Sequence, residues 1–381
     1  MSLRRAGSSL NLLKVQETST TTVFAPFKVK ESALESMSCS FGPAGAFYKS
    51  NKKQSPNNGF ASVITTMSGN RFALVHRMGY EQATEFQKET GLKIPLACLR
   101  HIELGRGGIG KVRLALNITT NQWCAVKKME SHLGAKKEII QLRQTSHIPN
   151  LVKFIDQAQI YYESKNKQNQ PIRKVKHYIF MSLAAGENGL TTIKARHKPG
   201  VVDATLLNWA KNYTRIVANL HQHGLAHLDI KPNNFVHTPN GIELVDLGFM
   251  TNQTKADGSG TPSYMPPQYE NQPLTSIHQD NFSLGLTLLC LKAGCSALEL
   301  QQSDHCQLVV TAANSQRLTQ LKPSFNHGRC HGLSQTHRYN ADSLDGVIAK
   351  LLEVNPKQRL TSEQAFQHLQ RIGPESAQDF N

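Results

Sequence analysis

One short stretch of the sequence carries the groups that could do chemistry. It reads His227-Leu228-Asp229-Ile230-Lys231-Pro232-Asn233-Asn234, and Asp246-Leu247-Gly248 follows it. The first acid can orient a nucleophile, and the cation two residues later can neutralise a phosphate. The amide and the second acid supply two oxygen ligands for a hard metal ion. These residue types at this spacing suit phosphoryl transfer.

A glycine-rich segment upstream could hold phosphate groups. It reads Leu104-Gly105-Arg106-Gly107-Gly108-Ile109-Gly110-Lys111-Val112 and lies between two strand-like stretches. Glycines let backbone amides approach phosphate oxygens without a Cβ in the way. Alone, the motif is weak support, because a tight hairpin turn also explains it. Its place between two strands argues against a dinucleotide fold, which needs a strand, a turn and then a helix.

A lysine and a glutamate further along could complete this site. In Cys124-Ala125-Val126-Lys127, the alternation of a strand puts Ala125 and Lys127 on one face and turns Lys128 away. Glu138 follows in a stretch with helical spacing, where its carboxylate could hold the lysine ammonium on phosphates. A surface lysine and a solvated helix glutamate are the alternatives.

The patterns around these residues predict the elements that must position them. From about Leu99, alternation with glycine punctuation predicts antiparallel strands, with one helix over residues 136–145. After Ser182 the chain becomes mainly helical, with helices predicted over residues 204–223, 280–293, 343–354 and 362–371. We therefore predict an α+β, bilobal fold with a small antiparallel-sheet lobe containing one helix and a larger helical lobe.

The order and spacing of these motifs resemble the eukaryotic-type serine/threonine protein kinase family over roughly residues 99–369. The resemblance implies a protein-kinase-like fold, with an N-lobe over residues 99–181, a C-lobe over 182–372 and a tail over 373–381. Residues 1–60 are rich in Ser, Thr, Asn and Lys and are expected to be disordered. Residues 61–98 are expected to form an extension packed on the kinase.

The resemblance also implies roles for individual residues, with ATP as donor and Mg²⁺ or Mn²⁺ as metal. Asp229 would orient the attacking hydroxyl, Lys231 would neutralise charge, and Lys127, held by Glu138, would contact the phosphates. Asn234 and Asp246 would ligate the metal. Nucleotide contacts are expected from Leu104, Gly105, Gly107, Gly110, Val112, Ala125, Lys127, Met181 and Leu183.

Residues around the catalytic stretch add further expectations from the resemblance. His227 is expected to pack beneath the loop, and Asp280 to brace the loop backbone. Gly260-Thr261 resembles serine/threonine kinases more than tyrosine kinases, which favours a protein substrate with a serine or threonine acceptor. A catalytically weak scaffold and a kinase for a lipid or small-molecule acceptor are the alternatives.

Two positions depart from the family pattern. Leu228 stands where many kinases carry an arginine that binds a phosphorylated activation loop. We therefore predict activity that does not require phosphorylation of that loop. Pro266-Pro267-Gln268 replaces the usual Ala-Pro-Glu, so that Gln268 cannot form the expected ion pair with Arg359.

Composition limits the partners and the compartment. The 381 residues carry a net charge of +16, which could attract an acidic protein or an anionic membrane surface. The basic residues are dispersed without the aromatic interleaving of a single-strand platform, so nucleic acid is not expected and solvated basic loops explain most of the charge. The stretch over residues 164–176 is predicted to be a polar hairpin tip that carries one basic cluster, Arg173, Lys174 and Lys176.

Seven scattered cysteines and an N-terminus without an apolar signal region predict a cytoplasmic protein. The style of the departures resembles kinases that bacterial pathogens inject into host cells, which would place the protein in a host cytoplasm. A further group of residues matches no closed zinc pattern, so loop residues without a metal are expected there: His305, Cys306, His327, Cys330, His331 and His337.

Overall fold

The computed structural model describes residues 38–42, 45–49, 60–75, 79–101, 104–107, 110–196, 203–267, 274–301, 323–326, 329–333 and 343–373. A strand-rich lobe precedes a mainly helical one, as the sequence predicts. The tail from residue 374 onward lies outside the described residues.

The small lobe is built on a nine-stranded sheet whose hydrogen-bonded order is β1-β2-β3-β4-β6-β7-β9-β8, with β5 paired to β6. Its strands are β1 (Ser38–Gly42), β2 (Gly45–Lys49), β3 (Phe60–Thr66), β4 (Arg71–Val75), β5 (Gly105–Gly107), β6 (Gly110–Asn117), β7 (Gln122–Met129), β8 (Phe154–Lys165) and β9 (Pro171–Ser182). Every pairing is antiparallel. The turn from β6 to β7 is stabilised by Asn117, whose side-chain oxygen accepts hydrogen bonds from the backbone N–H groups of Thr119 and Thr120.

The N-terminal extension is part of this sheet. Within residues 1–60, where disorder is expected, residues 38–42 and 45–49 form strands, and residues 1–37, 43–44 and 50–59 lie outside the described ones. β4 pairs directly with β6, with Phe72 opposite Asn117. Two helices, α1 (Tyr80–Thr90) and α2 (Leu96–His101), follow, and Phe86 of α1 meets the Trp123 ring edge-on at 5.2 Å. The extension therefore shares a hydrophobic core with the sheet.

The remaining helices are α3 (His132–Gln144), α4 (Gly189–Arg196), α5 (Ala204–Gln222), α6 (Ser276–Ala293), α7 (Ala297–Gln301), α8 (Leu344–Leu351) and α9 (Ser362–Arg371). A three-stranded sheet, β10 (Glu187–Asn188), β11 (Phe235–Thr238) and β12 (Gly241–Leu244), and a hairpin, β13 (Pro323–Asn326) and β14 (Arg329–Leu333), complete the described elements.

Helix ends in the large lobe follow from local capping. Asp203 caps α5, because its side chain accepts from the backbone N–H of Leu206 at 2.7 Å. Thr275 caps α6 in the same way, so this helix begins four residues before the predicted start, and Gly294 ends it in the left-handed conformation. α6 is buried on nearly all sides and forms the centre of the lobe. Among the helices that the structure describes, none has the length and apolar character needed to cross a membrane.

Candidate active site

Asp280 fixes the backbone of the catalytic stretch. From α6, its carboxylate accepts hydrogen bonds from the backbone N–H groups of His227 at 2.6 Å and Leu228 at 2.8 Å. Leu228 has a φ of +65°, a left-handed conformation that costs a non-glycine residue roughly 1–2 kcal/mol. Gln279 supports the other side of this residue by donating to the carbonyl of Leu228 at 3.3 Å. The strained geometry is therefore held by a buried carboxylate and amide, which confirms the bracing contact expected of Asp280.

His227 lies beneath the loop as a fully buried residue, as expected. Its Nδ1 accepts from the backbone N–H of Asp229 at 3.2 Å, which leaves Nε2 to donate to the carbonyl of Val245 at 3.2 Å. Both ring nitrogens are used by the backbone. His227 therefore joins two loops and offers no nitrogen to a substrate.

Asp229 is the centre of a compact polar cluster. Its Oδ2 accepts from Lys231 Nζ at 2.7 Å, and its Oδ1 accepts from the hydroxyl of Thr261 at 2.6 Å. Lys231 also donates to Thr261 Oγ1 at 2.8 Å, which closes a triangle between the three side chains. The amide nitrogen of Asn234 donates to the backbone carbonyl of Asp229 at 2.7 Å.

The charge state of Asp229 follows from these contacts. Burial alone would raise the pKa of its carboxyl, but the charge and hydrogen bond of Lys231 and the hydrogen bond of Thr261 hold that pKa below its usual range. The carboxylate is thus ionised at neutral pH. It can accept a hydrogen bond from an incoming hydroxyl.

Lys127 joins the two lobes. Its Nζ lies 2.8 Å from Glu138 Oε1 on α3, the expected partner, and 2.7 Å from Asp246 Oδ1, a contact that the sequence did not predict. Burial opposes the positive charge, but the two carboxylates raise the pKa of Lys127 and keep the ammonium charged. Glu138 Oε2 is buried without a hydrogen-bond partner in the part of the chain that the structure describes.

The approach of Asp246 to Lys127 depends on local backbone and on α3. Asp246 has a φ of +61°, and a short 3₁₀ turn, Leu247–Phe249, follows it. Gln141 of α3 donates to the carbonyl of Met250 immediately after that turn. One helix therefore positions both Glu138 and the segment that carries Asp246.

The expected nucleotide-contacting residues lie on or next to four neighbouring strands, β5, β6, β7 and β9. Ala125 and Met181 are opposite each other on β7 and β9, and both are buried. Val112 is opposite Lys127 and, like Leu104 and Leu183, is partly buried against the same core. Gly105 and Gly107 lie on β5, which forms the hairpin with β6. At Gly110 a Cβ would stand 2.7 Å from the carbonyl oxygen of Lys128, so a side chain would push this hairpin off the sheet.

The donor set fits a divalent metal held jointly with phosphate. The amide nitrogen of Asn234 is used by Asp229, which leaves its oxygen as a ligand, and Asp246 Oδ1 contacts Lys127, which leaves its second oxygen. No group of three or more His, Cys, Asp or Glu side chains with metal-site geometry occurs among the described residues. Mg²⁺ typically takes one or two protein oxygens and fills its shell with water and phosphate oxygens. Two protein ligands here suit that mode.

The segment from Asp246 to Pro267 is held by backbone contacts. Ala226 and Thr251 exchange two backbone hydrogen bonds of 2.8 and 2.9 Å, and Ser276 N–H donates to the carbonyl of Thr254 at 2.8 Å. At Gly260, with φ +119°, any Cβ would collide with the carbonyl oxygen of Leu228. The segment therefore lies directly on the catalytic loop.

Two sequence expectations fall partly outside the described residues. Gln268 lies outside them, but Arg359 is described: it is buried and donates to the backbone carbonyls of Glu353, His278 and Val354. Burial lowers the pKa of Arg359 to about 10. Of the histidine and cysteine group, Cys330 and His331 lie on β14, and the others lie outside the described residues: His305, Cys306, His327 and His337.

Sequence reasoning did not place two of the site's contacts. Thr261 was recognised only as part of a motif, although it touches both Asp229 and Lys231. The position of its hydroxyl depends on Gly260 bringing the segment onto the loop. The link from Gln141 to Met250 has no sequence signal, because a glutamine on a helix is ordinarily solvated.

The comparisons with known proteins agree with the motifs. The model of the family described as "Protein kinase domain" matches residues 99–369. The chain is 24% identical over 278 residues to Ribosomal protein S6 kinase 2 alpha of Gallus gallus. It is 27% identical over 282 residues to Calcium/calmodulin-dependent protein kinase type I of Schizosaccharomyces pombe, and 24% over 277 residues to Serine/threonine-protein kinase shk1/pak1 of that yeast. These alignments cover 70% of this chain and 33%, 75% and 37% of the three relatives, so the chain spans about a third of the length of two of them.

Proposed function

Because the chain belongs to the protein kinase family, matched over residues 99–369, we propose that it transfers the γ-phosphate of ATP to a serine or threonine hydroxyl of a protein substrate. The observation that carries the proposal is the position of Lys127 Nζ, which bridges Glu138 and Asp246 across the two lobes. A lysine placed in this way is ready to hold phosphate oxygens at the point where the metal-binding aspartate also acts.

Each polar residue of the cleft has a role in this proposal. Asp229 accepts the hydrogen bond of the attacking hydroxyl. Lys231, whose Nζ lies 2.7 Å from Asp229 Oδ2, neutralises charge on the transferred group. Asn234 and Asp246 would hold Mg²⁺ or Mn²⁺. When bound, this ion neutralises and orients the phosphate oxygens.

A serine or threonine acceptor is supported by Thr261. Its hydroxyl contacts both Asp229 and Lys231, so the segment that would present the acceptor is anchored at the catalytic carboxylate. The matched relatives include proteins named as serine/threonine kinases. A lipid or small-molecule acceptor and a non-catalytic scaffold are the alternatives that the experiment separates.

Activity without phosphorylation of the activation segment is the finer part of the proposal. Leu228 is 2% exposed and apolar, so its side chain cannot bind a phosphate group carried by the activation segment. The segment is held by main-chain hydrogen bonds at Thr251 and Thr254 and by the close approach of Gly260 to Leu228. These contacts supply the order that a phosphate would otherwise supply.

The test is transfer from labelled ATP to mixed protein and lipid acceptors. Wild type should label protein on serine or threonine, Lys127→Ala and Asp229→Ala should label nothing, and Lys136→Ala, an exposed lysine on α3, should match wild type. Labelling of lipid alone would show that the acceptor is a lipid and not a protein. Absence of transfer by the folded wild type would favour the scaffold.

The triple variant Thr251→Ala, Thr254→Ala and Ser259→Ala tests the finer part. Its transfer rate should stay within about threefold of wild type, because the main-chain hydrogen bonds that hold the segment at Thr251 and Thr254 are kept in the variant. A loss beyond about a hundredfold, with the variant still folded, would show that phosphorylation of this segment is required.

A further inference from the structure

The face of the small-lobe sheet that points away from the cleft is divided into two parts. On one part, Val126, Ala158 and Phe180 pack against β3 and β4 of the extension. The rings of Phe72 and Phe180 stack there with centroids 3.7 Å apart. The extension therefore covers the apolar half of this face.

The other half carries four cations, which we call the cationic patch: Lys111, Arg113, Lys128 and Lys176. Lys111 on β6 is directly opposite Lys128 on β7, and Lys128 is directly opposite Tyr178 on β9. Because side chains two residues apart share a face of a strand, Arg113 lies beside Lys111, and Lys176 beside Tyr178. Three strands thus bring these cations together from distant parts of the sequence.

The charge of Lys128 is poorly balanced by the groups around it. Burial and the charges of Lys176, Arg113 and Lys111 lower the pKa of Lys128, and Glu130 is the carboxylate that opposes them. Like charges directly opposite each other on paired strands destabilise a sheet. Arg113 Nε is also buried without a hydrogen-bond partner among the described residues.

We propose that the cationic patch is a binding site for a small, multiply phosphorylated molecule taken from solution, separate from the catalytic cleft. Phosphate oxygens accept charge-assisted hydrogen bonds from guanidinium and ammonium groups, and would satisfy the free Nε of Arg113. Strand alternation sends Lys127 into the cleft and Lys128 to the opposite face, so one occupant cannot fill both sites.

The shape of the cationic patch favours a compact occupant. Lys111 is exposed, whereas Arg113, Lys128 and Lys176 are half-buried, and Lys176 Nζ lies 3.7 Å above the ring of Tyr162. A flat bilayer surface would reach the exposed lysine more easily than the recessed groups. A small polyphosphate can enter between them and contact several cations at once.

The test is calorimetric titration of the full chain with inositol hexakisphosphate at about 150 mM salt, where the attraction between distant exposed charges is screened. A saturating non-hydrolysable ATP analogue keeps the probe out of the cleft. Wild type should bind one equivalent saturably. Lys128→Gln with Lys176→Gln should weaken binding at least tenfold, by loss of two charge-assisted contacts.

The matched control is Lys165→Gln with Lys167→Gln, which removes the same charge from exposed positions at the end of the β8–β9 hairpin and should change affinity less than about twofold. Equal weakening by the two double variants would overturn the proposal in favour of general electrostatic attraction, and absence of saturable binding would overturn it outright. Binding only to vesicles that contain phosphoinositide would contradict the proposal that the ligand is a small molecule taken from solution.

A second variant covers the case in which the first double variant does not fold. Lys111→Gln changes only an exposed side chain and should weaken binding about threefold. Unchanged affinity of this folded variant would contradict the proposal. Binding by the cationic patch does not depend on phosphoryl transfer, so a wild type that binds the probe and transfers no phosphate would separate the two proposals.

Discussion

Lys127 and Lys128 are adjacent in the sequence, but they lie in opposite electrostatic surroundings. Lys127 faces the cleft, where Glu138 and Asp246 lie 2.8 and 2.7 Å from its ammonium and raise its pKa. Lys128 faces the other side, where burial and three cations lower its pKa. The cleft face pairs Lys127 with two carboxylates, whereas the outer face places Lys128 among other cations. Strand alternation alone separates the two.

The largest effect on activity should come from removing the lysine of the cleft face. Lys127→Ala removes the group that would hold the phosphates and leaves Glu138 and Asp246 as unpaired acids. We expect kcat/KM to fall by about 10²–10³-fold, the loss typical of one well-placed electrostatic contact. Steady-state transfer to a protein acceptor measures this. Lys128→Ala is the neighbouring control and should stay within about threefold, because its side chain does not enter the cleft.

A smaller loss of activity should follow when Lys127 is kept and Glu138, one of its two carboxylate partners, is neutralised. Glu138→Gln keeps the size of the side chain, and Lys127 retains Asp246 at 2.7 Å. We expect kcat/KM to fall about 10- to 100-fold, since one of two compensating charges is lost in a buried site. Wild-type kinetics from this variant would show that the helix carboxylate does not position the lysine.

The sequence predicted the cleft side well because its groups are close along the chain or belong to rigid motifs. Asp229, Lys231 and Asn234 share one loop, and alternation distinguished Lys127 from Lys128 once the family resemblance implied a lysine in the cleft. Thr261 could not be placed from sequence, since its contact requires the fold of a whole segment.

The outer face was harder to predict. Residues 164–176 read as a polar tip, but β8 extends to Lys165 and β9 begins at Pro171. The aromatic partners of this basic stretch come from the opposite strand. Tyr162 lies 3.7 Å beneath Lys176 on the outer face, and Tyr161 lies 4.1 Å beneath Arg173 on the other face of the sheet. Pairing across a sheet is not visible in a local pattern. The same reason hid β1 and β2, which lie in the stretch that was expected to be disordered.

The pH dependence of activity tests how the contacts of the cleft set the pKa of Asp229. Thr261→Val removes a hydrogen bond that lowers the pKa of Asp229, while burial, which raises it, remains. The pKa should therefore rise, and activity should be lost at a higher pH than in wild type as the solution is acidified. At pH 7 we expect roughly a tenfold loss in kcat, for one hydrogen bond to a charged group. An unmoved acid limb would mean that Asp229 is not the titrating base.

The smallest expected effect concerns the outer face and is measured as a change in the free energy of unfolding. Lys128→Gln removes one cation from a cluster of four, so the repulsion between this side chain and the other three cations is lost. We expect the free energy of unfolding to be unchanged or to rise by up to about 1 kcal/mol, in contrast with the usual cost of changing a half-buried residue. Denaturant unfolding at two salt concentrations measures it, and the gain should shrink as salt screens the repulsion. A clear loss of stability at low salt would mean that Glu130 or another group already balances Lys128, and the contrast between the two faces would then fail.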